Sequence, residues 1–204
     1  MTEKSMRFKW MSILVMAVLF MGCAYWYPKP SESNFKMPVI KLSHVEVEHY
    51  WGWWYFSNKV KPTVGKPDNY GAPLDLAFIF DIENPNKFPV FMESLKFSVA
   101  FEEFDLNTVM LQEGMWIPPG KTNQLRVHAM FDGRQSLLSL LVAGGFKLKE
   151  KTGKGGAGAA LKQLGVWWQG IPEFKFPIHV KEGSAVFNAD GLTKVATFQA
   201  TFPE

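Results

Sequence analysis

Apolar and polar residues alternate with a period of two along much of this chain, the mark of strands with one buried and one wet face. Leu74, Leu76, Phe78, Phe80 and Ile82 form the cleanest run, with Asp75, Asp81 and Glu83 on the opposite face. Leu95, Phe97, Val99 and Phe101 form a second, against Lys96, Ser98 and Glu102. Leu125, Val127, Ala129 and Phe131 alternate with Gln124, Arg126 and His128. Phe174, Phe176, Ile178 and Val180 alternate with Lys175, His179 and Lys181, and Ala196, Phe198, Ala200 and Phe202 make the last run. A less regular strand is expected near Thr108 to Ile117. Between Val39 and His49 the phase changes: Ile40 and Leu42 share one parity, Val45 and Val47 the other. A bulge near Ser43 and His44 accounts for that. About seven such strands with turn residues between them predict an all-β fold, an antiparallel β-sandwich.

One stretch has a helical period. "RQSLLSLLVAGG" places Leu137, Leu138 and Leu141 on one face before Gly144-Gly145, which predicts a short helix crossing between sheets. Residues 147–165 are rich in Lys and Gly, with room for a second helix over Ala159 to Leu164.

The N-terminus has a different pattern. Lys4, Arg7 and Lys9 precede an uncharged run from Trp10 to Met21, then Gly22 and Cys23, the only cysteine in 204 residues. A basic region, a short apolar segment and a small residue are the parts of a secretory signal peptide, and the run is too short for a comfortable transmembrane helix of about 20 residues. Leu19, Phe20, Met21, Gly22 and Cys23 resemble the lipobox of bacterial lipoproteins. That resemblance implies cleavage before Cys23 and lipidation of its thiol; the alternative is an uncleaved signal anchor. Ala24 after the cysteine, by analogy with proteobacterial lipoproteins, implies an outer-membrane destination on the periplasmic face. The expected organisation is a signal peptide over 1–22, a lipidated Cys23 with a Pro-rich, poorly ordered tether over 23–38, and one domain over 39–204.

The leader also changes the charge. The chain carries 22 Lys and Arg against 19 Asp and Glu. Without residues 1–22 it carries 19 against 18, so the formal excess of base belongs largely to the leader and gives no sign of nucleic-acid binding. With no second cysteine there is no internal disulfide, and packing alone must hold an exported domain.

"DIENPNKFPV" closes the cleanest strand with turn chemistry: Pro85 fixes φ and lacks an N–H, while Asn84 and Asn86 can bond local backbone. Pro89 then opens the next strand, where no ladder donor is lost. The wider pattern resembles the late-embryogenesis-abundant type 2 family, also called the WHy (water stress and hypersensitive response) domain. The matching positions are Asn84, Pro85, Asn86, Phe88, Pro89 and Val90, a following amphipathic hairpin, and the turn Ile117, Pro118, Gly120. The resemblance runs over about residues 38–202, and it implies an Ig-like or fibronectin-III-like sandwich without catalysis, linked to desiccation and stress. "KEKTGKGGAGAALKQLGVWWQG", about residues 147–170, stands as an insertion against that pattern, and "WGWWYFSNKVKPTVGKPDNYG" lengthens the first connection.

Candidate chemistry is sparse. His44, His49, His128 and His179 have no metal-site spacing, no serine sits in a Gly-x-Ser-x-Gly elbow, and no cofactor is implied. "GKGGAG" (153–158) matches a dinucleotide fingerprint formally but lacks the strand and βαβ unit around it. Asp75, Asp81 and Glu83 read as the solvated face of a strand. Trp51, Trp53, Trp54, Trp167 and Trp168 either cap the core or form a membrane rim, a glycan platform or a partner interface. The resulting expectation is a non-catalytic envelope protein, held to a membrane by its lipid, that protects or binds envelope components under water stress. The alternative is an interaction module of an envelope assembly, docking to an unknown envelope protein through a sandwich edge or its Trp-rich loops.

Overall fold

Leu74, Leu76, Phe78, Phe80 and Ile82 are all fully buried on one face of a single strand. The computed structural model describes residues 27–59 and 71–203, and in it this strand is β2 (Pro73–Glu83). It lies between β1 (Val39–Tyr50) and β6 (Thr122–Asp132) in an antiparallel three-stranded sheet. The second sheet holds β3 (Val90–Phe101), β4 (Phe104–Leu111), β7 (Ile178–Ala189) and β8 (Leu192–Phe202) in the order β4-β3-β7-β8. A three-residue β5 (Met115–Ile117) also pairs with β3. The two sheets stack through their apolar faces. Phe78 and Phe80 of one sheet each sit 5.3 Å from Phe97 of the other, and Phe80 sits 5.4 Å from Phe198. Each such ring contributes roughly 1.5–3 kcal/mol by leaving water. The sandwich-like, antiparallel β architecture therefore follows from the alternation, with eight strands among the described residues. The less regular expected strand is split into β4 and β5.

The bulge in β1 falls where the parity changes. Leu42 pairs with Phe80 and His44 with Ile79, which leaves Ser43 as the extra residue. Further bulges were not legible, among them one between Val47 and His49 in β1 and one in β7. In β7 the buried positions are Ile178 and Val180, then Gly183, Ala185, Phe187 and Ala189. The pairing with β8 slips between Val180 and Gly183, and Glu182 has φ +51°. One extra residue moves the core face from even to odd positions, so the strand runs on past the point where its alternation stops. Phe174 and Phe176 precede this strand rather than belonging to it. Phe174 closes a 3-10 turn (Ile171–Glu173) with φ +47° and packs on Phe202. Gly183 is where the strand passes closest to β8: a Cβ there would meet the Phe198 carbonyl oxygen and its ring at 2.6 Å. Gly183→Ala is expected to cost about 1–3 kcal/mol by overpacking, read as a lowered melting temperature.

Helices are more numerous than the crossover helix and the second helix over Ala159 to Leu164 that the sequence allows, the latter falling within a longer helix. Four occur among the described residues: α1 (Trp53–Lys59), α2 (Gly133–Val142), α3 (Gly145–Thr152) and α4 (Ala157–Gly170). α1 follows β1, and α2, α3 and α4 run in succession between β6 and β7, at the pole of the sandwich remote from the β2–β3 and β7–β8 turns. Asp132 starts α2 by accepting from Arg134 N and Gln135 N at 2.9 and 3.2 Å, and its other oxygen accepts from Ala72 N at 2.8 Å. The buried face of α2 is Gly133, Ser136 and Leu140, with Leu137 and Leu141 partly covered. Leu138, expected on that face, points outward at 53% exposure. Gly133 lets the start of the helix approach Phe56, where a Cβ would meet the ring at 2.9 Å, and Ser136 is buried on the same side, roles that an apolar count does not register. In α4 the buried stripe is Ala160, Leu164, Trp167 and Trp168, spaced i, i+4, i+7, i+8.

The segment expected to be a poorly ordered tether is docked from Ser31 onward. Ser31 and Asn34 close a turn, Ser31 N donating to Asn34 Oδ1 and Phe35 N to Ser31 O. Phe35 is buried edge-on to Phe88, with ring centroids 5.9 Å apart. Lys194 donates to the Phe35 carbonyl at 2.7 Å.

Candidate functional site

The residues of the Asn-Pro-Asn and Ile-Pro-x-Gly turns converge at the pole where β1 begins. Asn84 is fully buried, and a buried amide must find partners for two donors and an acceptor. Its Nδ2 donates to the carbonyls of Phe88 at 2.9 Å, Ile117 at 3.0 Å and Pro118 at 3.2 Å. Its Oδ1 accepts from Asn86 N at 3.0 Å and Asn86 Nδ2 at 2.9 Å. Asn86 in turn pairs with the backbone of Lys36, accepting from its N–H at 2.7 Å and donating to its carbonyl at 2.8 Å. Asn86 O accepts from Gly120 N at 3.1 Å. Gly120 has φ +61° at the third position of a turn closed by Lys121 N donating to Pro118 O, after Pro119, which is where such a turn requires glycine. Phe88 is buried against Phe35, and Pro89 precedes β3 without costing a ladder bond. This is a structural node: it ties three chain segments together through two buried amides.

The tryptophans divide. Trp167 and Trp168 are 0% exposed, which removes them from any surface platform. Trp167 packs on Phe101 and Phe104 at 5.6 and 5.5 Å. Trp168 offers its backbone carbonyl to the Tyr50 hydroxyl, while its indole N–H has no partner among the described residues. Trp53 lies on Phe56 and against Gly165 of α4, and Trp51 packs edge-on to Tyr55 at 4.3 Å with its Nε1 donating to His49. Trp54 alone stands out, at 66% exposure with Lys59 Nζ 5.8 Å from the centre of its ring. Core capping thus accounts for four of the five.

A polar node missed from the sequence sits at the β3–β4 turn. Glu102, held at φ +52°, accepts through one carboxylate oxygen from Gln163 and Trp167, each at 2.9 Å, and from Lys151, also at 2.9 Å. One carboxylate therefore pins α3 and α4 to the sandwich. Burial pushes the Lys151 ammonium down, but hydrogen bonds to Glu102 and Glu103 outweigh it and hold its pKa above the usual range. The only advance signal was a strand-end acid ahead of a Lys-rich insertion. Beside this node an open groove of about 690 Å³ crosses β7 and β8, lined by Glu102, His179, Lys181, Gln199 and Thr201. Two of its polar groups bond neighbours: His179 Nδ1 to Thr201 Oγ1 at 2.9 Å, and Lys181 Nζ to Asp105 at 2.9 Å.

The wet face of the three-stranded sheet carries a charged array. His44 contacts Glu46 at 2.9 Å, Arg126 contacts Glu46 at 2.7 Å and also bonds Glu48, and His128 contacts Asp75 at 3.0 Å. The hydrogen bond from His44, then that from Arg126, holds the Glu46 carboxyl below its ordinary 4.5. A depressed folded pKa contributes stability that is present above 4.5 and lost as pH falls through the folded value. Wild type is therefore expected to lose more melting temperature than Glu46→Gln between neutral pH and pH values below 4.5, as followed by circular dichroism.

Among the described residues no cluster of three His, Cys, Asp or Glu side chains could hold a metal, and no helix is long and apolar enough to cross a membrane. Cys23, the lipidation candidate, lies outside the described residues, as does the signal segment 1–22.

No protein-family model and no curated protein matches the chain. Solved structures do. A protein from Archaeoglobus fulgidus is similar at 9% identity and a TM-score of 0.40, over 79% of this chain and 94% of that one. Northeast Structural Genomics Consortium target SoR45 is similar at 10% identity and a TM-score of 0.38, over 85% of this chain and 91% of that one.

Proposed function

We propose that this chain is a non-catalytic, lipid-anchored envelope protein of the LEA type 2 (WHy) kind. In this reading Cys23 carries the lipid, the outer membrane's periplasmic face is its location, and its sandwich is Ig-like or fibronectin-III-like. Its role is to protect or bind envelope components under water stress. The observation that supports this best is the Asn84-Pro85-Asn86 node. The residues that carry the family resemblance are the ones the fold uses to join the β2–β3 turn, the Ile117-Pro118-Gly120 turn and the chain entering β1. A motif with that structural duty marks a scaffold rather than a reactive site. In the groove over β7 and β8, His179 is held by Thr201 and Lys181 by Asp105, which suits a structural surface.

The experiment has two readouts. Cys23→Ala is expected to abolish acyl labelling and release the protein from membranes; wild type that takes no lipid overturns the anchor. A labile enzyme dried with a chain starting at Tyr27 is expected to recover more activity than with equal-mass albumin, and equal recovery overturns protection. The exposed Trp54 favours a second reading, an interaction module docking through its Trp-rich loop or a sandwich edge. That reading expects one envelope partner in crosslinking, lost in Trp54→Ala.

A further inference from the structure

The helical pole concentrates positive charge. Residues 133–170 hold six basic residues (Arg134, Lys147, Lys149, Lys151, Lys154 and Lys162) against the single acid Glu150. The rest of the chain holds 16 basic against 18 acidic residues, so the excess of base sits in the helices. Lys151 is neutralised by Glu102 and Glu103, but Arg134, Lys149, Lys154 and Lys162 make no salt bridge among the described residues. Four uncompensated cations attract an anionic surface and repel a second copy of the same pole.

The same pole exposes apolar side chains. Val142 is 83% exposed and Phe146 is 90% exposed. Leu138 and Val142 lie one turn apart on α2. Leu140, Gly144 and Leu148 are buried at four-residue spacing, and Leu138, Val142 and Phe146, at the same spacing, are exposed on the two helices that meet there. Leu148, not Phe146, anchors α3 in the core. An apolar ridge that the fold does not use, set among unpaired lysines, has the composition of a surface that lies in the headgroup region of a bilayer. There rings and aliphatic groups reach the acyl boundary while lysines stay at the phosphates. An acidic protein surface would satisfy the lysines and leave the ridge in water.

We propose that the α2–α3 corner, with Val142 and Phe146 at its tip, Lys149 one turn after Phe146 on α3 and Lys154 in the loop that follows, docks on an anionic phospholipid surface. This goes beyond the function proposed above and needs no lipid on Cys23, because the chain enters β1 at the opposite pole. Strands of 11 or 12 residues separate the two poles by about 35–40 Å.

The test uses a chain starting at Tyr27. It keeps every residue of the described core, which begins at Phe35, and it carries no cysteine because Cys23 is the only one. A cooperative melt checks its fold. Sedimentation is compared between vesicles of pure phosphatidylcholine and of an equimolar mixture with phosphatidylglycerol. Binding is expected to be at least about tenfold tighter to the anionic vesicles and to weaken as salt rises. Val142→Ser with Phe146→Ser is expected to lose about tenfold, as is Lys149→Glu with Lys154→Glu; all four positions are at the surface, so the fold is retained. An environment-sensitive dye on Phe146→Cys is expected to brighten with vesicles, and the same dye on Lys87→Cys, at the other pole, to stay unchanged. No binding to anionic vesicles, binding indifferent to both double variants, or brightening only at position 87 would overturn the proposal.

Discussion

Replacing Asn84 with alanine is expected to destabilise the domain by about 3–4 kcal/mol, enough to lower the melting temperature by roughly 8–14 °C for a domain of this size. The side chain is fully buried and makes five close polar contacts. Alanine leaves the carbonyls of Phe88 and Ile117 and the Asn86 N–H without partners at a site water does not reach, and each buried orphan costs about 1–3 kcal/mol. The loss spreads, because Asn86 is oriented by Asn84 and itself holds Lys36. Asn84→Asp is the sharper variant. It keeps the acceptor facing Asn86 but sets a carboxylate against three carbonyl oxygens. Burial and those oxygens raise the folded pKa of the introduced carboxyl above its unfolded value. The penalty is therefore full at neutral pH and eases as pH falls through the folded pKa. Urea melts at neutral and acidic pH check this: an Asn84→Asp deficit that grows on acidification contradicts the assignment.

Trp167→Ala is expected to cost about 3–5 kcal/mol by leaving a large cavity. Trp167 is ringed by Phe101, Phe104 and Phe176, which belong to β3, β4 and the chain entering β7, so no single neighbour can collapse into the space. Its indole N–H also donates to Glu102, the carboxylate that fastens α3 and α4. Trp167→Phe keeps most of the packing and removes that bond, and about 1–2 kcal/mol is expected from it. Chemical denaturation separates the two effects. If alanine and phenylalanine cost the same, the hydrogen bond and not the packing holds the helices in place.

The sequence was most legible where one face of a strand is wet. In β2 and β6 the apolar positions keep strict parity because nothing interrupts the register from Pro73 opposite Asp132 to Glu83 opposite Thr122. The bulge at Ser43 was readable because apolar residues flank it on both sides. In β7 it was not, since Glu182 and Gly183 break the pattern where a turn would also break it. In the 147–170 stretch Gly and Lys obscured α3 and the full length of α4; the anchoring stripe of α4 begins at an alanine, which carries little apolar signal. Docking of residues 31–38 rests on one phenylalanine among prolines and serines, and its partners, Phe88 and Asn86, lie some fifty residues away. The five tryptophans show the limit of residue type: Trp54 is outside and Trp167 and Trp168 are inside because of helical phase, which composition does not contain.

The docked segment before β1 also bears on how the domain meets a mechanical pull. β1 is an edge strand, and traction on its N-terminal end would ordinarily peel it from β2 one residue pair at a time. Here traction at Tyr27 must first free Phe35 from its pocket and break both bonds between Asn86 and Lys36 at once, because one amide makes both. Asn86 is braced by Asn84, so the strain passes into the turns that open β3 and β6. A domain tugged from that side behaves as a clamped rather than a zippered body.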